Sequence, residues 1–250
     1  MNNFKPNCLD DFLISHQQDR QTLELILSGK LPFPFQGKSG VIFHGAWGTG
    51  KSTLAKLMPE LIEAAASVDY NLIKNAGQLT PLTPSSVYTE LFRCGGGLSS
   101  TSITQAINKL NARLPILHYT RHDYFVFDEV DRLTVGAQQS LRSVMDLDRC
   151  MFFFSTNYLE KLDRGIINRC HLIEMNQVSS PKAYIPLAQK TLTSMGVSQG
   201  VVSVTTVEQL ATQARGSLRD FFDSVVREGL RNGGVIPKAD DGQKMETPTA

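Results

Sequence analysis

The chain has 250 residues, of which 41% are hydrophobic and 20% charged, with a formal net charge of +1. That length supports sizeable cores in one large domain or two modest ones. The balanced charge argues against a protein that coats nucleic acid through a general basic excess; any such contact must come from a local patch or from oriented backbone amides. Cys8, Cys94, Cys150 and Cys170 make no C-x-x-C pair, which argues against a zinc ribbon and reads as reduced, intracellular thiols. Met1 to Pro6 has no apolar signal segment and no apolar run is long enough to span a bilayer, so a cytoplasmic protein without a membrane partner is expected.

Leu23 to Leu27 is helix-like and ends at Gly29. Val41-Ile42-Phe43 reads as a buried parallel strand. It runs into Gly45-Ala46-Trp47-Gly48-Thr49-Gly50-Lys51-Ser52, after which Leu54, Leu57, Met58, Leu61 and Ile62 mark one face of a helix. Pro59 is expected to kink that helix or start a new one. The stretch 75–104, rich in Gly, Ser, Thr and Pro, reads as a long loop or insertion. A helix with Ile103, Ile107, Leu110 and Leu114 on one face follows. Tyr124 to Phe127 reads as a strand delivering Asp128 and Glu129, the next helix carries Leu141, Val144 and Met145, and Met151 to Phe154 is a further central strand ending at Ser155-Thr156-Asn157. Strands alternating with helices predict an α/β domain with a parallel sheet over residues 1–178. Beyond it the patterns are helical: Tyr184, Leu187, Ala188 and Leu192 share one face, and Leu218, Phe221, Phe222, Val225, Val226 and Leu230 another. A small helical domain over 179–232 and a disordered tail over 233–250 are expected.

The G-x-x-x-x-G-K-[ST] pattern at Gly45 to Ser52 points to a phosphate loop. Its glycines let backbone N–H groups turn toward an anion, and the following helix N-terminus, with Thr53 in its first turn, adds partial positive charge. Lys51 is suited to β- and γ-phosphates and the Ser52 hydroxyl to Mg²⁺, so ATP with Mg²⁺ is the expected ligand. Asp128, at the end of a buried strand, is placed to hold the same cation, and Glu129 to orient or deprotonate an attacking water.

This order of motifs resembles the AAA+ ATPases, and within them the clamp-loader small subunits. The likeness rests on Phe4-Lys5-Pro6 with Leu9-Asp10, Gly29 to Pro32, Asp128 to Thr134 continuing through Gly136 to Arg142, Ile167 to Cys170, and Gly216 to Arg219. The resemblance implies a P-loop sheet with a helical lid. It implies Asn157 as the polar sensor of the γ-phosphate, Arg169 as a finger reaching a neighbour's ATP, with Arg164 as a rival, and Arg219 as a lid contact to the γ-phosphate. Phe4 to Phe12 would help form the adenine pocket or belong to the core. Gln138 and Arg142 would lie on a helix near DNA or on a plain amphipathic helix.

The implied function is an oligomeric ATPase of clamp-loader type in DNA replication, with homologous subunits, DNA and a sliding clamp as partners. The alternative is another AAA+ switch, such as a helicase loader, a recombination or transposition regulator, or a remodelling factor. Two features depart from clamp loaders: the 75–104 stretch is unmatched, and little chain follows the last helix to form a collar.

Overall fold

The computed structural model describes residues 6–67, 89–94, 101, 103, 105, 122–147, 149–176, 178 and 180–236. The chain divides into two compact units, residues 7–178 and residues 179–250 together with 1–6.

In the larger unit, α1 (Gln17–Leu27), β1 (Gly40–His44), α2 (Lys51–Ser67), β2 (Thr89–Arg93), β3 (Asp123–Asp128), α3 (Val135–Val144), β4 (Cys150–Thr156), α4 (Arg164–Asn168) and β5 (Cys170–Glu174) follow in order. The strands form one sheet in the order β2-β3-β4-β1-β5, and every pairing is parallel. Side chains alternate across a strand, so each aromatic run serves both faces. Val41, Phe43, Tyr124, Val126 and Phe153 pack with α1 and α2 on one face; Ile42, Phe125, Phe127, Phe152 and Phe154 pack with α3 and α4 on the other. Phe92 of β2 stacks on Phe127 with centroids 4.6 Å apart. Each fully buried Phe contributes on the order of 2–3 kcal/mol of apolar burial. Together they make a rigid floor beneath the strand ends.

Several expectations change. The 75–104 stretch is not all loop, because Thr89–Arg93 pairs with β3 as the edge strand. Its alternation is obscured by Glu90 and Arg93 on a half-buried edge. Pro59 lies inside the single helix α2 and starts no new one. Cys170–Glu174, of which only Cys170 figures in the sequence reading, is a fifth strand. Of the helix expected after 104, Ile103 is buried; Ile107, Leu110 and Leu114 lie outside the described residues, as does Phe4. Leu9 and Phe12 are core.

The smaller unit contains α5 (Ile185–Ser194), α6 (Val204–Gln213) and α7 (Leu218–Arg231). Tyr184 meets Phe221 edge-on at 4.9 Å. The buried face of α7 is Leu218, Phe221, Val225 and Gly229, with Leu230 45% exposed. At Gly229 the helix packs closely, and a Cβ would come within 2.8 Å of the end of the Met195 side chain, which would have to shift. At the start of the expected tail, Gly234 N–H donates to the Gly229 carbonyl and Val235 N–H to the Met195 carbonyl at 2.9 Å each; residues 237–250 lie outside the described residues.

Candidate functional site

In open parallel sheets, ligand sites form at the C-terminal ends of the strands. Here β1 ends in the loop Gly45 to Gly50 and α2 begins at Lys51. Gly45, Gly48 and Gly50 all have positive φ, at +128°, +78° and +93°. Gly45 has a second constraint: a Cβ would lie 2.5 Å from Asn176 Oδ1 and 2.7 Å from the Met175 carbonyl. Asn176 Oδ1 accepts the Ala46 N–H at 2.8 Å, so the loop's rising limb is anchored from the segment after β5. Asn176 is held in turn by Ser15, whose Oγ accepts its N–H at 2.7 Å, and by Glu174, whose other oxygen meets His16 at 2.9 Å. The His16 contact keeps the Glu174 carboxyl below its usual range, against a small burial penalty.

Lys51 is buried. Its ammonium donates to the Ala46 carbonyl and lies 3.4 Å from Thr49 Oγ1. Burial pushes its pKa down to about 8, against the attraction of Asp131 and Asp128.

Asp128, the last residue of β3, is tied on both oxygens. Ser155 Oγ donates to Oδ1 at 2.6 Å, and Lys56 Nζ lies 2.8 Å from Oδ2. Burial disfavours its charge, but hydrogen bonds from Lys56, Ser155 and Ser52 outweigh that and hold the carboxyl below its usual range. Glu129 adopts the left-handed region (φ 59°, ψ 51°), a conformation that costs of order 1–3 kcal/mol for such a residue. Its N–H donates to Ser155 Oγ at 3.1 Å, and its carboxylate meets Arg132 Nε at 3.0 Å. Thr156 Oγ donates to Asp131 at 2.6 Å, tying the end of β4 to the turn after Glu129.

The expected site residues fall into three groups. Gly45 to Ser52, Asp128, Glu129 and Asn157 gather at the C-terminal ends of β1, β3 and β4, with Thr53 exposed on the first turn of α2. Trp47 is 65% exposed and meets Tyr158 edge-on at 5.8 Å. Arg169 lies elsewhere, between α4 and β5, and its carbonyl accepts the Ser39 and Gly40 N–H groups at the start of β1. A five-residue strand is about 17 Å long, so Arg169 sits at the opposite end of the sheet from its own phosphate loop. There it grips Asp146 bidentately, Nε to Oδ1 at 2.7 Å and Nη2 to Oδ2 at 3.0 Å. The contact raises the arginine's pKa and lowers the aspartate's. Arg164 is exposed on the first turn of α4. Arg219 is exposed on the first turn of α7, in the smaller unit, where Ser217 caps the helix by accepting the Asp220 N–H at 3.2 Å.

Gln138 faces inward, not toward solvent. It donates to the Leu133 and Lys161 carbonyls and accepts the Asp163 N–H at 2.7 Å. Arg142 packs over Gly165 and reaches Asp163 at 3.5 Å.

Sequence reasoning missed Ser155, Lys56, Asp131, Glu174 and Asn176. Ser155 carried a signal, as a hydroxyl ending an apolar strand beside the expected sensor. Asn176 carried none, because its partners are remote in the chain.

Residues 41–177, more than half of the chain, match the model of the ATPase family associated with various cellular activities (AAA). Replication factor C small subunit 1 of Pyrobaculum islandicum is 24% identical over 169 residues, 67% of this chain and 44% of that protein. DNA polymerase III subunit gamma/tau of Mycoplasma pneumoniae is 23% identical over 222 residues, 87% of this chain and 30% of that protein. The chain thus spans less than half the length of these relatives. The Thermotoga maritima RuvB Holliday junction branch migration motor superposes with a TM-score of 0.63 at 17% identity, covering 90% of this chain and 65% of that one. That likeness concerns the fold alone.

Proposed function

The chain belongs to the AAA ATPase family, and from that premise we propose that it binds ATP with Mg²⁺ and hydrolyses it within an oligomer of clamp-loader type in DNA replication. The observation that carries this reading is the separation of Arg169 from its own phosphate loop by the length of the sheet. An arginine so placed serves an ATP site only on a neighbouring copy.

The site's own chemistry fits the ligand. Positive-φ glycines and a buried lysine make an anion cradle. Ser52 and Asp128 offer the oxygen donors that Mg²⁺ prefers, and the bound cation would neutralise charge on the phosphates. Lys51 draws the γ-phosphate into place, Glu129 takes or orients the proton of the attacking water, and Asn157 donates its amide without adding charge. Arg169 of the adjoining copy supplies positive charge where the transferred γ-phosphoryl group and the departing ADP oxygen gather negative charge.

The names of the replication factor C and polymerase III relatives support the replication role. The test is ATP turnover with and without primed DNA and a ring clamp, with oligomer mass measured in ATP and ADP. Clamp-dependent stimulation of an ATP-stabilised oligomer is expected. Stimulation by another DNA structure or protein, without a clamp effect, would favour the alternative of a remodelling ATPase.

A further inference from the structure

Ser155 is only 2% exposed, yet it bonds three of the residues expected to carry the chemistry. A serine hydroxyl has one proton to donate and two lone pairs to accept with. Ser155 uses all three positions: it donates to Asp128 Oδ1 at 2.6 Å, accepts the Glu129 N–H at 3.1 Å, and accepts the Ser52 hydroxyl at 3.3 Å.

Each bond has a consequence for a cation. The Ser52 hydroxyl lies 3.3 Å from Ser155 Oγ and also bonds the Asp128 carboxylate, so Ser155 holds it beside the acid with which it would share a cation. Because Asp128 Oδ1 is engaged, the carboxylate plane is fixed and Oδ2 is the oxygen left to offer. That oxygen meets Lys56, whose side chain is 38% exposed. The third bond supports the left-handed backbone of Glu129, the residue that opens the short 3-10 turn Val130–Arg132.

We propose that Ser155 is a positioning residue for the divalent cation: it aims the Ser52 hydroxyl and the Asp128 carboxylate at one point while holding Glu129 beside them. The proposal rests on Ser52 and Asp128 being the cation's ligands. Outer-shell partners of this kind tune metal affinity by roughly 10- to 100-fold.

The test uses the full chain, Mn²⁺ as the probe and electron paramagnetic resonance as the readout, with a non-hydrolysable ATP analogue bound. Ser155→Ala should weaken Mn²⁺ binding by roughly 10- to 100-fold, while affinity for the analogue in EDTA stays at the wild-type value. Ser155→Cys keeps the shape with a weaker donor and should fall between the two. Thr156→Val removes an equally buried hydroxyl that binds Asp131 instead, and should leave Mn²⁺ affinity unchanged. Wild-type Mn²⁺ affinity in Ser155→Ala would overturn the proposal, as would a cysteine variant equal to wild type, because volume alone would then explain the loss. If the alanine variant melts, Ser155→Cys decides: weakened Mn²⁺ binding at an unchanged melting temperature supports the role. Failure of the wild-type nucleotide complex to bind Mn²⁺ would instead sink the assignment of Ser52 and Asp128 as ligands.

Discussion

At the C-terminal end of the sheet, Asp128 is held by a buried serine and by a lysine. At the N-terminal end, Arg169 is held by Asp146, which is 58% exposed. The first arrangement is internal: Ser52, Asp128, Glu129 and Ser155 bond to one another, and little freedom remains. The second faces outward, and solvent competes for the pair. One end is therefore organised before anything binds, whereas the other keeps a charged group near the surface, held by Asp146 and the Gly165 carbonyl. The difference is what the proposed composite site would require, with an internal half to receive nucleotide and an outward charge to offer a neighbour.

The strongest way to break this comparison is to remove the outward charge. Arg169→Ala should lower oligomer-dependent turnover by about a thousandfold, the low end of the range for an arginine finger, with ATP binding almost intact. Equal loss of binding and turnover would place Arg169 in its own chain's site and end the comparison. Next in size is Lys51→Ala, which removes the internal cation and should reduce turnover roughly a hundredfold or more with binding weakened in parallel. Nucleotide titration beside steady-state turnover separates the two patterns.

The internal half was more legible in the sequence than its supports were. Gly45 to Ser52 and Asp128-Glu129 announce themselves because phosphate and cation chemistry demand particular residue types at fixed spacing. The aromatic runs before them, buried on both faces, are legible as central strands for a similar reason. β5 was missed because an edge strand with mixed burial has no clean alternation. α6 was missed because only Val207 and Ala211 are buried along it. Asn176 was invisible because its partner Ser15 lies 161 residues away, and no local pattern encodes a contact that only the closed fold creates.

Asn176 sharpens the comparison from the anchoring side. If the internal half owes its rigidity to such clamps, Asn176→Ala should weaken ATP binding roughly tenfold, the worth of one to two net hydrogen bonds, without altering the dependence of turnover on protein concentration. Asp146→Ala tests the outward half. Freed from its retaining partner, Arg169 should raise oligomer-dependent turnover by up to about fivefold, the ceiling for an exposed ion pair. A fall in turnover would mean that Asp146 orients the arginine and does not merely retain it.

The smallest expected effect concerns the strands that connect the two ends. His44 on β1 and His171 on β5 are both half-buried, and burial lowers each from the ordinary value of 6.5. Glu174 partly offsets this at His44, while Lys38 reinforces it at His171. The unfolded chain takes up protons on these rings as pH falls through 6.5, whereas the folded chain resists, so acid favours unfolding. Their contribution to stability is complete above that value and is lost below it. Melting temperature should therefore drop between neutral and mildly acidic buffer. His171→Gln, which cannot take up the proton, should flatten that slope by about half while Arg169-dependent turnover at neutral pH is retained, because the ring packs against Phe33 and not against the arginine. An unchanged slope would show that the strands joining the two ends are indifferent to histidine charge, and that any acid sensitivity arises in the carboxylate network around Asp128.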